Sequence, residues 1–207
     1  MKKLSILPAI LAGFLIMVSL LYLAVISFTF HTASYPQTPP YDAMAVELVD
    51  YLSGSQAELS PALFTERERH HMVDVLGLFE GGKRIALVCL AVFVVCSAIT
   101  LLTGGRSRLG TGLLIGMAVF VSLIATIGLW ALVDFTGWFT TMHELVFTND
   151  LWLLDPAESM LIRMLPLDFF TGAVQSIAWR YALDILLVLL AAILLKLPRK
   201  RRLHGLP

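Results

Sequence analysis

The sequence predicts an all-α membrane protein: four transmembrane helices and two long external segments containing short amphipathic helices, in a single membrane domain covering residues 1–207. Three observations lead there. The chain is 58% hydrophobic and only 14% charged, with a mean hydropathy of +0.83, well outside globular usage. It contains four apolar stretches of membrane-spanning length. Its 15 basic and 15 acidic residues cancel, yet they are sharply sorted along the chain. The abundance of apolar residues rules out disorder, and 14 Gly, 9 Pro and 2 Cys without a period rule out a collagen or a disulfide scaffold. Zero net charge leaves no basic footprint for nucleic acid, which is not expected as a partner.

A bilayer core of ~30 Å needs about 20 apolar residues per helix, because backbone groups in lipid must be satisfied within the helix. Residues 4–30 and 109–133 carry no charge, and residues 85–102 are shorter but equally clean. Residues 177–197 are interrupted only by Arg180, Asp184 and Lys196. The 27-residue first stretch exceeds the roughly 7–15 apolar residues of a signal peptide, so a retained span is expected. Cys89 and Cys96, seven apart in one helix, lie too far from each other for a disulfide and read as apolar thiols. Gly112-x-x-x-Gly116 permits close helix approach, read as packing within the chain rather than dimerisation.

Lys2 and Lys3 precede the first span, Arg106 and Arg108 lie in the short turn between the second and third, and Lys196, Arg199, Lys200, Arg201 and Arg202 end the fourth. Acids concentrate in the two long connections, 31–84 and 134–176, where the only bases are Arg67, Arg69, Lys83, Arg84 and Arg163. By the positive-inside bias both termini, including the basic tail 198–207, are cytoplasmic and both connections are external.

In the first connection, Tyr35-Pro36-Gln37-Thr38-Pro39-Pro40 stops the span. Tyr41, Met44, Leu48 and Leu52 then recur at helical spacing until Ser53-Gly54-Ser55. Thr65-Glu66-Arg67-Glu68 has the form of a capping box, predicting a helix from Glu66 to about Phe79 that Gly81-Gly82 breaks. His71, Asp74, Val75 and Leu78 share a face of it, so the Asp carboxylate can approach the imidazole one turn away. In the second connection Phe139, Met142, His143, Val146 and Phe147 are at helical spacing, followed by a turn at Thr148-Asn149-Asp150. Asp155-Pro156-x-Glu158 reads as a helix start continuing through Leu165 to a stop at Pro166, with Trp152, Phe169 and Phe170 suited to the interface. Asp134 and Asp184 both fall near the external boundary, the latter four residues after Arg180 and able to pair with it.

The sequence contains no glycine-rich phosphate loop, nucleophile elbow, His-Glu-x-x-His helix or Cys-x-x-Cys pair. Of five histidines, His31 and His204 read as solvated, and His70 points roughly 100° away from His71. His71 and His143 each lie among large apolar residues in separate connections on the same side of a helical bundle. Either alone reads as a structural histidine. Two together can supply an acid and a base near neutrality without a metal.

Two runs carry a family resemblance: Phe64-Thr65-Glu66-Arg67-Glu68-Arg69-His70-His71-Met72-Val73-Asp74-Val75, and His143-Glu144-Leu145-Val146-Phe147-Thr148-Asn149-Asp150-Leu151-Trp152, the latter continued by Asp155-Pro156 and Leu165-Pro166-x-x-Phe169-Phe170. With the span pattern, they resemble the bacterial lipoprotein intramolecular transacylase family over the whole chain. That resemblance implies a multi-pass enzyme of the bacterial cytoplasmic (inner) membrane with its site at the external face. Its substrate would be a diacylglyceryl-modified N-terminal cysteine, whose sn-2 acyl group moves to its own α-amino group to give a lyso-form lipoprotein. The family's paired histidines map onto His71 and His143, the Met-x-Asp-Val that follows favouring His71 over His70. Asp74 would orient His71, Asn149 or Arg163 would donate to the oxyanion, and Asp150 would support the site. No cofactor, metal or obligate protein partner is implied beyond membrane lipid and the lipoprotein terminus.

Two other readings of the residues stay open. A metal-dependent membrane hydrolase would use His70 or His71, Asp74, His143 and Asp150 as ligands. A non-enzymatic accessory or transport subunit would line a polar path with Asp134 and Asp184.

Overall fold

The computed structural model describes residues 6–198, and all regular structure among them is helical. Lys2, Lys3, the start of the first span, His204 and the tail from Arg199 onward lie outside the described residues. Helix α1 runs Leu7–Thr29 and a 3-10 turn follows at Thr32–Ser34. Helix α2 is Tyr41–Ser53, α3 Glu66–Val133, α4 Phe135–Val146, α5 Met160–Met164 and α6 Leu167–Lys196. Three of these, α1, α3 and α6, are long and apolar enough to cross a membrane.

The 68 residues of α3 would extend ~100 Å if straight. They do not run straight, because Gly105 has φ 74°, ψ 177°, a conformation that favours glycine, and there the helix reverses. Both arms then pack on α1. Towards the C-terminal end of α1, the Ser19 hydroxyl donates to the Ala86 carbonyl at 2.9 Å and the Tyr22 hydroxyl to that of Phe79 at 3.2 Å. Near its N-terminal end, Ala9 and Ala12 meet Cys96 of the first arm and Leu109 and Leu113 of the second. The second arm continues upward, with Phe120 edge-on to Phe14 at 5.1 Å. Arg106 and Arg108 are already helical at the foot of this arm rather than in a turn.

Small residues make these contacts possible. A Cβ on Gly112 would collide with Ala9, and one on Gly116 with the backbone of Ile10. The expected small-residue motif is therefore filled from within the chain. Helix α6 closes the group through Tyr181, whose hydroxyl donates to the Met17 carbonyl at 3.0 Å, and through Ala192 against Gly110. Outward, the long helices present apolar side chains, Leu102 and Leu132 being 87% and 86% exposed. Such faces suit a lipid surround.

Several boundaries differ from expectation. Helix α3 passes through Gly81-Gly82 without a break. A Cβ on Gly82 would approach two ring carbons of Tyr22 to 3.0 and 3.1 Å, so this glycine serves helix packing. Asp155 does not start a helix. Its carboxylate closes a turn on the Ala157 amide, and Ser159 caps the five-residue α5 instead. Helix α6 begins ten residues before the predicted stretch, at Leu167, and Asp184 consequently lies deep along it rather than at a boundary. Tyr181, three residues earlier, already reaches Met17, midway along α1. Asp184 is buried, with Arg180 3.8 Å away.

At the end of the bundle where the two connections meet, a second core forms. Helix α2 buries Met44, Leu48 and Leu52, the spacing read from the sequence, and ends on Gly54 at φ 83°. These side chains pack with Phe64 and Met72, and with Leu161 and Met164 from the other connection. Residues nearly 100 positions apart are thereby held together beside the first turns of α3.

Candidate active site

The start of α3 is fixed by the capping box foreseen in the sequence. Thr65 accepts from the Glu68 amide, and the Glu68 carboxylate accepts from the Thr65 amide at 2.6 Å. That start carries His71 inward, 8% exposed, while neighbouring His70 is exposed. Helix α4 begins where Asp134 accepts from the Gly137 amide at 2.9 Å, which gives Asp134 a capping role. Its last turn carries His143, 9% exposed.

The two imidazole centroids are 6.4 Å apart and the rings are inclined by 31°. This gap is too wide for a direct hydrogen bond between the rings. Aromatic side chains enclose the pair. Phe147 lies 5.1 Å from His71 and 5.4 Å from His143, Phe139 lies 4.1 Å from His143, and Trp152 lies 5.0 Å from it.

The ring nitrogens are unequally engaged. His143 Nδ1 is 2.8 Å from the Phe139 carbonyl. A carbonyl only accepts, so Nδ1 carries the proton and Nε2 keeps its lone pair. His71 Nδ1 is buried and has no hydrogen-bond partner. An orphaned buried group of this kind costs about 1–3 kcal/mol and calls for an explanation.

Burial depresses both imidazoles. His71 falls from 6.5 to about 4, through desolvation first and the neighbouring His143 second, with Asp74 pulling weakly the other way. His143 is lowered by desolvation, partly offset by the Phe139 carbonyl. Both are therefore neutral at pH 7, the state in which an imidazole can accept a proton.

The remaining sequence candidates gather around α3 without all touching the pair. Asp74 accepts from the Asn149 amide at 2.9 Å, and Asn149 in turn accepts from the Leu151 amide. The expected Asp74–His71 hydrogen bond is not formed, because that carboxylate has turned to the other connection. The Asp150 carbonyl accepts from Arg67. Arg163 donates to the carbonyls of Pro156 and Ala157, bracing the turn before α5. Phe147 and Trp152 also line an open depression of about 550 Å³, whose polar wall includes Asn149, Asp150 and Glu144. Among the described residues no three His, Cys, Asp or Glu side chains converge as metal ligands, so the set His70 or His71, Asp74, His143 and Asp150 is not assembled.

Sequence reasoning missed the wider role of Glu68, which it placed only in a helix cap. It is fully buried and also accepts from the Ser159 hydroxyl at 2.5 Å and the Leu161 amide at 2.8 Å. Burial alone would raise its carboxyl, but these hydrogen bonds and those from Thr65 outweigh it and hold the group below its usual value.

No curated protein matches the chain. The structure is similar to that of the membrane integral lipoprotein intramolecular transacylase Lit from Bacillus cereus, with a TM-score of 0.70 and 23% identity, covering 94% of each chain. A histidine-to-alanine variant of that protein superposes with a TM-score of 0.73 at 22% identity, over 93% of this chain and 94% of the other. A histidine-to-arginine variant gives 0.68 at 23% identity, over 93% and 89%. These likenesses establish a shared fold. The profile of the family described as lipoprotein intramolecular transacylase Lit matches residues 3–170. The chain belongs to the lipoprotein intramolecular transacylase family, a family of membrane acyltransferases.

Proposed function

We propose that this protein transfers the sn-2 acyl group of a diacylglyceryl-modified N-terminal cysteine to the α-amino group of the same cysteine, producing a lyso-form lipoprotein. The observation that carries this reading is the pair of buried, neutral imidazoles 6.4 Å apart, one with a ring nitrogen that has no partner. Family membership supplies the reaction class, and the pair supplies the proton chemistry it needs.

The substrate α-ammonium, with a pKa of roughly 7.7–8.0, releases its proton and attacks the ester carbonyl as an amine. His143 suits the role of base, because its Nδ1–H is tied to Phe139 and Nε2 is available to take the proton leaving the nitrogen. His71 suits the role of acid once it has taken up, across the gap, the proton collected by His143: its imidazolium then gives a proton to the sn-2 oxygen as the C–O bond breaks, and both rings return to neutral. The carbonyl carbon thus exchanges an oxygen for a nitrogen, and one proton passes from nitrogen to oxygen. Nucleophile and ester belong to one molecule, so holding it in a reactive pose contributes a large effective molarity, up to ~10⁵–10⁸ M in well-oriented cases. No acyl-enzyme and no cofactor is required, and exchanging an ester for an amide runs downhill.

In this reading α1, the two arms of α3 and the apolar part of α6 are four spans of the bacterial cytoplasmic membrane. Both termini are cytoplasmic, and the histidines sit at the external face beside the outer leaflet that holds the substrate's chains. Asp74 acts on His71 through its charge and through the Asn149 strap. Asn149, with its amide committed to Asp74, positions the loop that carries Phe147 and Trp152; Asp150 holds the same loop to Arg67 through its carbonyl.

Mass spectrometry of a lipoprotein's N-terminal peptide tests the reading, in a host lacking its own N-acylation. The wild-type gene is expected to yield N-acyl, S-monoacylglyceryl termini. His71→Ala and His143→Ala should not, while inserting normally. Full lyso-form production by either variant would sink the assignment. Because burial lowers both imidazoles below 6.5, the rise of kcat/KM through about pH 8 should report loss of the ammonium proton, and any histidine limb should lie on the acid side of 6.5.

A further inference from the structure

We propose that Glu68 is the positioning residue that sets the distance between the two histidines; this rests on the transacylase reading above and adds to it the group that holds the acid and the base in register. A capping glutamate reaches back to its own helix start with one oxygen and commonly stays at the surface. In Glu68, Oε2 does this work, accepting from the Thr65 amide at 2.6 Å and the Thr65 hydroxyl at 3.0 Å. Its Oε1 is committed elsewhere. It accepts from the Ser159 hydroxyl and the Leu161 amide, 91 and 93 residues further along the chain, and the side chain is 0% exposed.

One carboxylate therefore joins the foot of α3 to the middle of the second connection, and each end of that junction leads to a histidine. On the α3 side His71 follows Glu68 by three residues, one helical turn along the same buried face. On the other side the clamped residues are flanked by a direct His143 contact before them and by one relayed through Phe139 after them. Seven residues before Ser159, Trp152 lies 5.0 Å from His143. Nine residues after Leu161, Phe170 lies 5.0 Å from Phe139, whose ring is 4.1 Å from His143. The Ser159 hydroxyl that donates to Glu68 also accepts from the Ile162 amide, so the clamp fixes the start of α5 as well. Among the described contacts, this is a buried, ionic junction between the segment bearing His71 and the segment that encloses His143. Charge-assisted hydrogen bonds of this kind are about twice as strong as neutral ones and geometrically demanding. A glutamine cannot reproduce them, since one of its two terminal atoms is a donor and at least one backbone amide would face it unpaired.

The test uses the full-length protein in lipid, with Glu68→Gln and the milder Ser159→Ala, which removes one donor to Glu68 together with the cap of the five-residue α5 and keeps the cap of α3. In both, kcat should fall with KM within twofold, by about tenfold for Ser159→Ala and up to about 100-fold for Glu68→Gln, the loss that a misplacement of about 1 Å can cause. The double variant should be no slower than Glu68→Gln alone, because both changes break one junction. Histidine titration followed by NMR gives a readout that needs no turnover. As the pair loosens, the His71 transition should move up from about 4 towards 6.5. Simple loss of a cap would lower thermal stability and leave kcat per folded molecule and the His71 titration unchanged, and that result overturns the proposal. Multiplicative losses in the double variant overturn it too. If Glu68→Gln does not fold, Ser159→Ala decides alone. If the wild type moves no acyl group while His71 still shifts in the variants, the positioning role stands and the transacylase reading fails.

Discussion

The two ends of this molecule are built on different physics. Along the long helices, contact depends on absent atoms: Gly13, Gly112 and Gly116 meet the backbone or the alanines of a neighbouring helix, and large side chains point outward. Where the connections gather, contact depends on filled volume and satisfied charge. Phe64, Met44, Leu48 and Met164 are no more than 1% exposed, and Glu68 is buried among five hydrogen-bond contacts with Thr65, Ser159 and Leu161. The lesson is that burial means different things on the two sides. In an apolar surround no hydrophobic force drives helices together, so close backbone approach and dispersion must do it. Near water, removing apolar area is itself the driving force. The histidines belong to the second region, where geometry is held by polar bonds as well as packing.

That contrast can be broken or sharpened by experiment. The largest effect should come from the proposed catalytic pair: His71→Ala or His143→Ala should cut acyl transfer by about 10²–10⁴-fold, measured on purified protein with a diacylated lipopeptide, with little change in unfolding temperature. Next, Phe64→Ala should cost about 3–5 kcal/mol in equilibrium unfolding, whereas Leu132→Ala, on a face 86% exposed, should cost almost nothing. Equal costs would erase the distinction drawn here. Gly116→Val should cost about 1–3 kcal/mol by forcing α1 and the second arm of α3 apart, visible as lower thermal stability in detergent without a new oligomeric state.

Acid provides a subtler probe. His71 has a lowered folded value, so its contribution is complete above pH 6.5 and drains away as pH falls towards about 4. Glu68, also lowered, adds a loss below 4.5 as it protonates. Thermal unfolding measured from pH 7 to 4 should therefore weaken progressively, and Glu68→Gln should flatten the lower end of the curve. The smallest effect belongs to Arg84–Glu80, 3.9 Å apart with side chains 80% and 52% exposed, where charge reversal of either residue should change stability by less than about 0.5 kcal/mol.

Much of this was legible in the sequence for identifiable reasons. Charge-free runs mark the long helices because lipid penalises every ionised group, and Thr65-x-x-Glu68 marks the start of α3 because capping is local chemistry. His71 and His143 emerge from apolar neighbours at helical spacing. What stayed hidden is what depends on distant partners. Gly81-Gly82 looks like a helix stop until Tyr22 is seen against Gly82. Asp155 looks like a cap, yet Ser159, already pinned by Glu68, takes that place. Nothing near Asp74 in sequence discloses that Asn149, 75 residues away, claims its carboxylate. Glu68 itself was visible only as half of a local motif, since periodicity cannot report a bond spanning 93 residues.

The reversal at Gly105 has a consequence for how the enzyme divides. It parts the chain into two tandem helical hairpins, α1 with the first arm and the second arm with α6, each closed at its far end by one long loop. One hairpin owns His71 and the other His143. If the proposed pair does the chemistry, neither half has it whole, so fragments severed at this bend should be inert apart and complement each other only by reassembling side by side in the same bilayer.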